Sequence, residues 1–179
     1  MKTLLAVLLG VCAAWSPAFG QTPVYKGEPS GQCFREWLLC GPFPSLVGGD
    51  TDAGAVRRSG MYTDFLAAHG GEAEAKPAPD QVETGPDGSR TWTRHDAPED
   101  IVDLVAALSP DANIVAYAYC EFEAETVQPA VLSLGANDGC RVWLNGEEIW
   151  DKPGPRGLKA GADMIGVALK QGRNRLLIK

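Results

Sequence analysis

Most of the chain after residue 32 falls into short apolar blocks separated by Gly, Pro, Asn and Asp. Cys33–Cys40 (CFREWLLC) predicts a strand stopped by Gly41-Pro42-Phe43-Pro44, and 45–60 predicts a Gly- and Asp-rich loop. Met61–His69 predicts a short helix, with Gly70-Gly71 as its C-terminal cap. Residues 72–90 carry prolines, glycines and acids and predict a long surface excursion. A short strand is expected around Trp92, over Thr91–Arg94, and a helix over Pro98–Leu108, with proline first and acids in the opening turn.

The second half is more regular. Strands are expected over Asn113–Glu123, Pro129–Leu134, Met164–Leu169 and Asn174–Lys179, the last two joined by the turn Lys170–Arg173. Arg141–Leu144, Asn145-Gly146 and Glu147–Trp150 predict a hairpin, because Asn-Gly is the preferred pair for a type I′ two-residue turn. Short strands with a turn every eight to twelve residues indicate an all-β antiparallel β-sandwich or barrel with one or two short helices. Regular pairing from that turn sets Leu144 against Glu147, Trp143 against Glu148, Val142 against Ile149 and Arg141 against Trp150. One side then holds Val142, Leu144 and Ile149, and the other holds Arg141, Trp143, Glu148 and Trp150. Two tryptophans beside an Arg and a Glu make an amphipathic surface suited to sugar rings, which have apolar faces and hydroxyl edges. In the preceding loop, Leu134–Cys140, Asn137 and Asp138 offer oxygens to hydroxyls or to a cation, although Asn-Asp-Gly is also ordinary turn chemistry.

Residues 1–20 change the picture of where the protein goes. Lys2 precedes the apolar run Leu4–Ala14, Pro17 breaks it, and Ala18-Phe19-Gly20 supplies small residues for cleavage before Gln21. This is the pattern of a secretory signal peptide, so the expected location is periplasmic or extracellular, with a membrane involved only through an uncleaved signal. Residues 21–32 form a polar lead-in and 33–179 the module. The chain stops on a strand-like stretch, which suggests the N-terminal part of a longer polypeptide.

Sixteen basic against 23 acidic residues give a net charge of −7, and removal of the leader takes Lys2 and no acid. Such a chain lacks the basic footprint of a nucleic-acid binder. Cys33, Cys40, Cys120 and Cys140 remain after Cys12 is removed. An even number in an exported chain suits disulfides, with Cys120–Cys140 the favoured pair and reduced core thiols the alternative. No CxxC and only two histidines, His69 and His95, argue against a zinc site.

The run Leu134–Gly146 (LGANDGCRVWLNG), then Ile149-Trp150, Arg156-Gly157-Leu158 and Lys170–Lys179, resembles the galactose-binding-like jelly-roll modules of secreted bacterial proteins. It is also similar to the sugar-binding sandwich domain of family 2 glycoside hydrolases, and more distantly to PA14-type domains. Trp37–Pro44 and Tyr62–Glu72 resemble the front half of such modules. The resemblance implies a jelly roll, and its motifs specify fold far better than function. PA14-type domains that bind calcium use an adjacent acidic pair. Here that place holds Asn137-Asp138, with one acid, so structural calcium is not supported and no cofactor is expected.

No GxSxG, HExxH, GxGxxG or phosphate-binding loop occurs. His69-Gly-Gly-Glu72 resembles an oxyanion-hole loop without a nucleophile, so His69 reads as a helix-end residue. The expectation is a non-catalytic module of an exported, multidomain, hydrolase-associated protein. Its partner is a glycan or an adjacent domain of the same chain. In the glycan reading Trp143 and Trp150 stack on sugar rings, while Arg141, Asn137 and Asp138 bond hydroxyls. The alternatives are a structural interaction domain without a small ligand, and a stand-alone glycan-acting enzyme using a carboxylate pair.

Overall fold

The computed structural model describes residues 4–8, 22, 24–25, 33–48, 59–111 and 113–179, with 4–8 and 24–25 described as backbone. The cleavage region of the expected leader, most of the lead-in and residues 49–58 of the expected loop lie outside the described residues. Thirteen strands are described: β1 Leu4–Leu8, β2 Val24–Tyr25, β3 Glu36–Pro44, β4 Val82–Gly85, β5 Gly88–Thr91, β6 Thr93–Asp96, β7 Val102–Asp103, β8 Ile114–Ala124, β9 Gln128–Asn137, β10 Cys140–Leu144, β11 Glu147–Lys152, β12 Asp163–Leu169 and β13 Gly172–Ile178. Two short helices, α1 Ser59–Tyr62 and α2 Leu104–Ala107, and two 3₁₀ turns, Ala67–His69 and Glu72–Glu74, complete them.

The protein is an all-β antiparallel sandwich. One sheet runs β11-β10-β13-β8-β3-β6, with β2 added beside β8 in parallel, and the other runs β12-β9-β1-β7. The space between the sheets is filled by one apolar cluster that includes Trp37, Phe122, Leu132, Leu134, Val142 and Leu176. A second cluster lies on the other face of the large sheet, where Phe65, Leu66, Ala75 and Trp92 cover Phe43, Tyr117, Tyr119, Trp143 and Leu177. The large sheet is therefore buried on both faces. That explains the nearly continuous apolar run of β8, in which every residue from Tyr117 to Phe122 is buried.

The covering layer comes from residues 59–92, and it corrects the reading of 72–90 as a plain surface excursion. Phe65 stacks on Phe43 with ring centroids 4.5 Å apart, and Trp92, with no exposed surface, packs edge-on to Tyr119. The expected helix over Met61–His69 is two short pieces, and Gly70 closes the second in the left-handed conformation at φ 95°. β3 does not stop at Gly41-Pro42. It runs on to Pro44 through a register shift between Cys40 and Phe43, which accommodates a proline with no N–H to give.

The expected helix over 98–108 shrinks to α2, because Val102 and Asp103 pair with β1 instead. Asp103 then caps α2, accepting from the Val105 and Ala106 amides at 3.0 and 3.1 Å. β1 itself belongs to the apolar run read as an export leader, and it lies between β9 and β7 in the small sheet.

Trp37 fills the space between the sheets with its indole N–H donated to the Phe34 carbonyl at 3.1 Å. Truncating it should cost about 3–5 kcal/mol. Trp37→Ala is expected to lose that amount in urea unfolding, whereas Val131→Thr, on the exposed face of β9, stays within about 0.5 kcal/mol of the parent.

Candidate functional site

The hairpin β10–β11 turns at Asn145-Gly146, at φ 56° and 93°, as the Asn-Gly signal requires. Its tip is tied to β13. Asn145 donates to Asn174 Oδ1 at 2.9 Å and accepts from the Arg175 amide at 3.1 Å. Asn174, wholly buried, also donates to the carbonyls of Lys170 and Gly172, closing the turn before β13.

The pairing of the hairpin departs from the regular register. Trp143 opposes Glu148 as expected, but Val142 opposes Trp150 and Arg141 opposes Asp151. Ile149 is the extra residue of a bulge, and it moves Trp150 to the face of Val142. Trp150 packs half-buried against the core between the sheets, while Trp143, 5% exposed, belongs to the outer cluster. The two tryptophans therefore do not share a face.

Arg141 lies over Trp143, its guanidinium 4.7 Å from the ring centroid, and also stacks on Tyr62 at 5.1 Å. It is fully engaged, donating to both carboxylate oxygens of Glu148, to the Met61 carbonyl and to Glu72. Burial opposes the Arg141 charge, but Glu148 and Glu72 more than offset it. Asn137 lines a pocket of about 50 Å³ with Ala136, Leu104, Ile178 and Lys179. Asp138 accepts from the Arg156 amide at 3.2 Å, and its carbonyl accepts from Arg156 Nε at 2.9 Å. The five residues expected to form one binding surface are thus spread over two faces and a loop.

The favoured disulfide is absent: Cys33, Cys40, Cys120 and Cys140 are all free thiols. Cys120 opposes Leu176, and Leu176 opposes Leu144, four residues beyond Cys140. That offset is roughly 13 Å along the strands and two strand spacings across, against a Cα limit of roughly 7 Å for a bridge. Burial pushes the thiols up, Cys40 to about 12 and Cys140 to about 11.

Two charged clusters carry the site geometry. In the first, Glu72, itself part of the covering layer, is buried, and its carboxylate receives Lys179 Nζ at 2.7 Å, the Tyr117 hydroxyl at 2.7 Å and Arg141 at 3.5 Å. Lys179 Nζ also donates to the Thr63 carbonyl and lies over the rings of Phe65 and Tyr117, both at 5.2 Å. Burial pulls the ammonium below its ordinary value, against the pull of Glu72.

The second cluster surrounds Glu83, which is 1% exposed. Its Oε1 accepts from Trp92 Nε1 at 2.9 Å and Gln81 Nε2 at 2.8 Å, and its Oε2 meets His69 Nδ1 at 2.8 Å. A carboxylate oxygen accepts, so Nδ1 carries the hydrogen of this contact. His69 is half exposed and borders a cavity of about 270 Å³. Leu66, Ala75 and Pro77 give that cavity an apolar wall, and Glu74 and Lys76 give it charge.

The second cluster was missed in the sequence because acids and prolines between 72 and 90 suggest solvated loop. The usable signal was the alternation Val82-Glu83-Thr84, inverted so that the acid points inward. Among the described residues no group of three or more His, Cys, Asp or Glu side chains is arranged to hold a metal ion. Comparison of the chain with protein-family models, curated proteins and solved structures yields no match.

Removing one partner of the Glu72–Lys179 pair leaves a buried charge short of its counter-charge. Lys179→Met is expected to lose about 3–5 kcal/mol in urea unfolding. The double variant Lys179→Met/Glu72→Gln should lose less than the sum of the single losses.

Burial alone would raise the Asp163 carboxyl. Hydrogen bonds and charge from Lys152 and Arg156 outweigh it and hold the group below its ordinary value. A depressed carboxyl stabilises the fold above its unfolded pKa of about 3.9, and that stabilisation disappears as pH falls through the lower folded value. Asp163→Asn should therefore melt below wild type at pH 7, and the two melting curves should converge below about pH 4.

Proposed function

We propose that this chain is an exported, non-catalytic β-sandwich module that holds a hydroxylated ligand of the carbohydrate class in the cavity bordered by His69. The observation that carries this reading is the Glu83 arrangement. A carboxylate withdrawn from solvent is aligned by Trp92 and Gln81 and in turn fixes His69. His69 Nε2 then offers an acceptor to a ligand hydroxyl, with Lys76 as donor and Glu74 as a second acceptor at the same rim. Leu66, Ala75 and Pro77 supply apolar contact for C–H faces. A few placed polar groups against an apolar wall favour binding. The jelly-roll resemblance and the leader-like residues 1–20 support the same setting, a secreted accessory module beside a hydrolytic domain.

A second reading, docking of an adjacent domain, is favoured by the outer face of the small sheet. Val131 on β9 and Met164 on β12 are 52% and 63% exposed, and Val127 just before β9 is 75% exposed. The other exposed positions of those two strands, Pro129, Gly166 and Ala168, carry no charge.

Titration of the protein with a panel of mono- and oligosaccharides, followed by calorimetry, tests the first reading. At least one sugar is expected to bind saturably, with His69→Ala weakening it tenfold or more and Trp150→Ala leaving it unchanged. Binding by no member of the panel, or equal binding by folded His69→Ala, would leave the docking reading in its place.

A further inference from the structure

Among the described residues the sandwich has four edges, β11 and β6 on the large sheet and β12 and β7 on the small one. An edge strand leaves a row of backbone N–H and C=O groups without strand partners, and folded proteins usually guard it with charge, a bulge or shortness. β11 carries Glu147, Glu148, Asp151 and Lys152, and the bulge at Ile149. β6 carries Arg94, His95 and Asp96. β7 is two residues long and runs straight into α2. β12 has no such guard. It pairs with β9 over all seven residues, from Asp163 to Leu169, without a register shift, and it contains no proline. Its single charged residue, Asp163, is 2% exposed and is taken up by Lys152 and Arg156. Among the described residues β9 is its only strand partner.

We propose that β12 is the interface between two copies of this chain, paired antiparallel about a twofold axis at Gly166. The partner is a second copy because the strand is complementary to itself. Gly166 is the midpoint of β12, so this axis pairs all seven residues. Gly166 then faces Gly166, Met164 faces Ala168, and Ile165 faces Val167 of the other copy. On the outer face a large side chain meets small ones. Met164, 63% exposed, lies beside Ala168 and diagonal to the bare Gly166 of the other copy. Nothing lies within 4 Å of where a Cβ on Gly166 would stand, and half-exposed Val131 sits beside it on β9. The loop before β12 covers the outer face only at its far end, where the Lys159 carbonyl closes over Gly135 and Gly161 approaches Ser133. The rows of Val131 and Pro129 stay open. Two chains of net charge −7 thus meet along a line that brings no free charge into contact. The two small sheets become one continuous sheet, and an unguarded edge is removed from each copy. The seam is independent of the cavity reading, since His69 belongs to the layer on the far side of the large sheet.

Sedimentation of the full chain 1–179 at about 100 µM is expected to give a mass twice that of one chain. Gly166→Lys sets two like charges face to face across the axis, and should weaken the dimer at least tenfold with the circular dichroism of the fold unchanged. The register is read separately by cysteine cross-linking, with the parent chain as control. Directly opposed strand residues have Cα atoms about 4.5–5.5 Å apart, within disulfide range. Gly166→Cys should therefore link two chains under mild oxidation. Met164→Cys should not, because the two copies of residue 164 lie four residues apart along the seam, roughly 13 Å. A monomeric parent chain overturns the proposal and leaves this edge to the adjacent-domain reading. A folded Gly166→Lys chain that stays dimeric overturns it as well. Linking of both cysteine variants, or of neither, overturns the axis at Gly166 even where the lysine variant fails to fold.

Discussion

One buried carboxylate, Glu72, governs how the outer face of the large sheet is closed. An acid taken out of water needs compensation in place. It is found in three residues far apart in sequence: Tyr117 on β8, Arg141 on β10 and Lys179 just past β13. Those partners fix the turn 72–74 over the sheet. Asp64 fixes its start, accepting from the Leu66 and Glu72 amides. With the turn in place, Phe65 and Leu66 drop onto Phe43 and Tyr117, and Trp143 is sealed beneath Arg141. Continuing from that turn, the chain reaches the Glu83 cluster, so the cavity beside His69 is built on the same anchor.

The covering layer also decides which residues can meet a ligand. Tryptophans 37, 92 and 143 are spent on packing, leaving Trp150 half-buried at the hairpin edge. The 59–92 segment instead presents an ordered, half-exposed polar group at His69. His69 is exposed while the carboxylate behind it is not, an arrangement in which a rigid acid presents an accessible base.

The strands of the second half were legible because their alternation and turn residues agree. Asn145-Gly146 fixes the hairpin, and the asparagine of the final strand, Asn174, bonds to Asn145 across the sheet. What failed did so for physical reasons. The bulge at Ile149 leaves no mark in composition, so the face of Trp150 could not be counted from the turn. β4 exposes Val82 and buries Glu83, because Trp92, Gln81 and His69 wait on the inner side. Hydrophobic patterning reads only the affinity of a side chain for water, whereas here a set of donors outweighed it. The doubly buried sheet misled in the same way. The acids and prolines of 72–90 look solvated until tertiary contacts cover them.

The layer is fastened mainly through side chains. The carbonyls of Met61, Thr63, Glu74 and Ala75 accept from Arg141, Lys179 and Arg175, while the main-chain ladders of the large sheet run beneath them. Breaking those few contacts, together with the packing of Phe65 and Leu66, frees the layer without opening a strand pair of the two sheets of the sandwich. The layer is thus a separate cooperative unit, with an opening free energy below that of the sandwich. Access to the cavity and global unfolding are two different equilibria of the same chain.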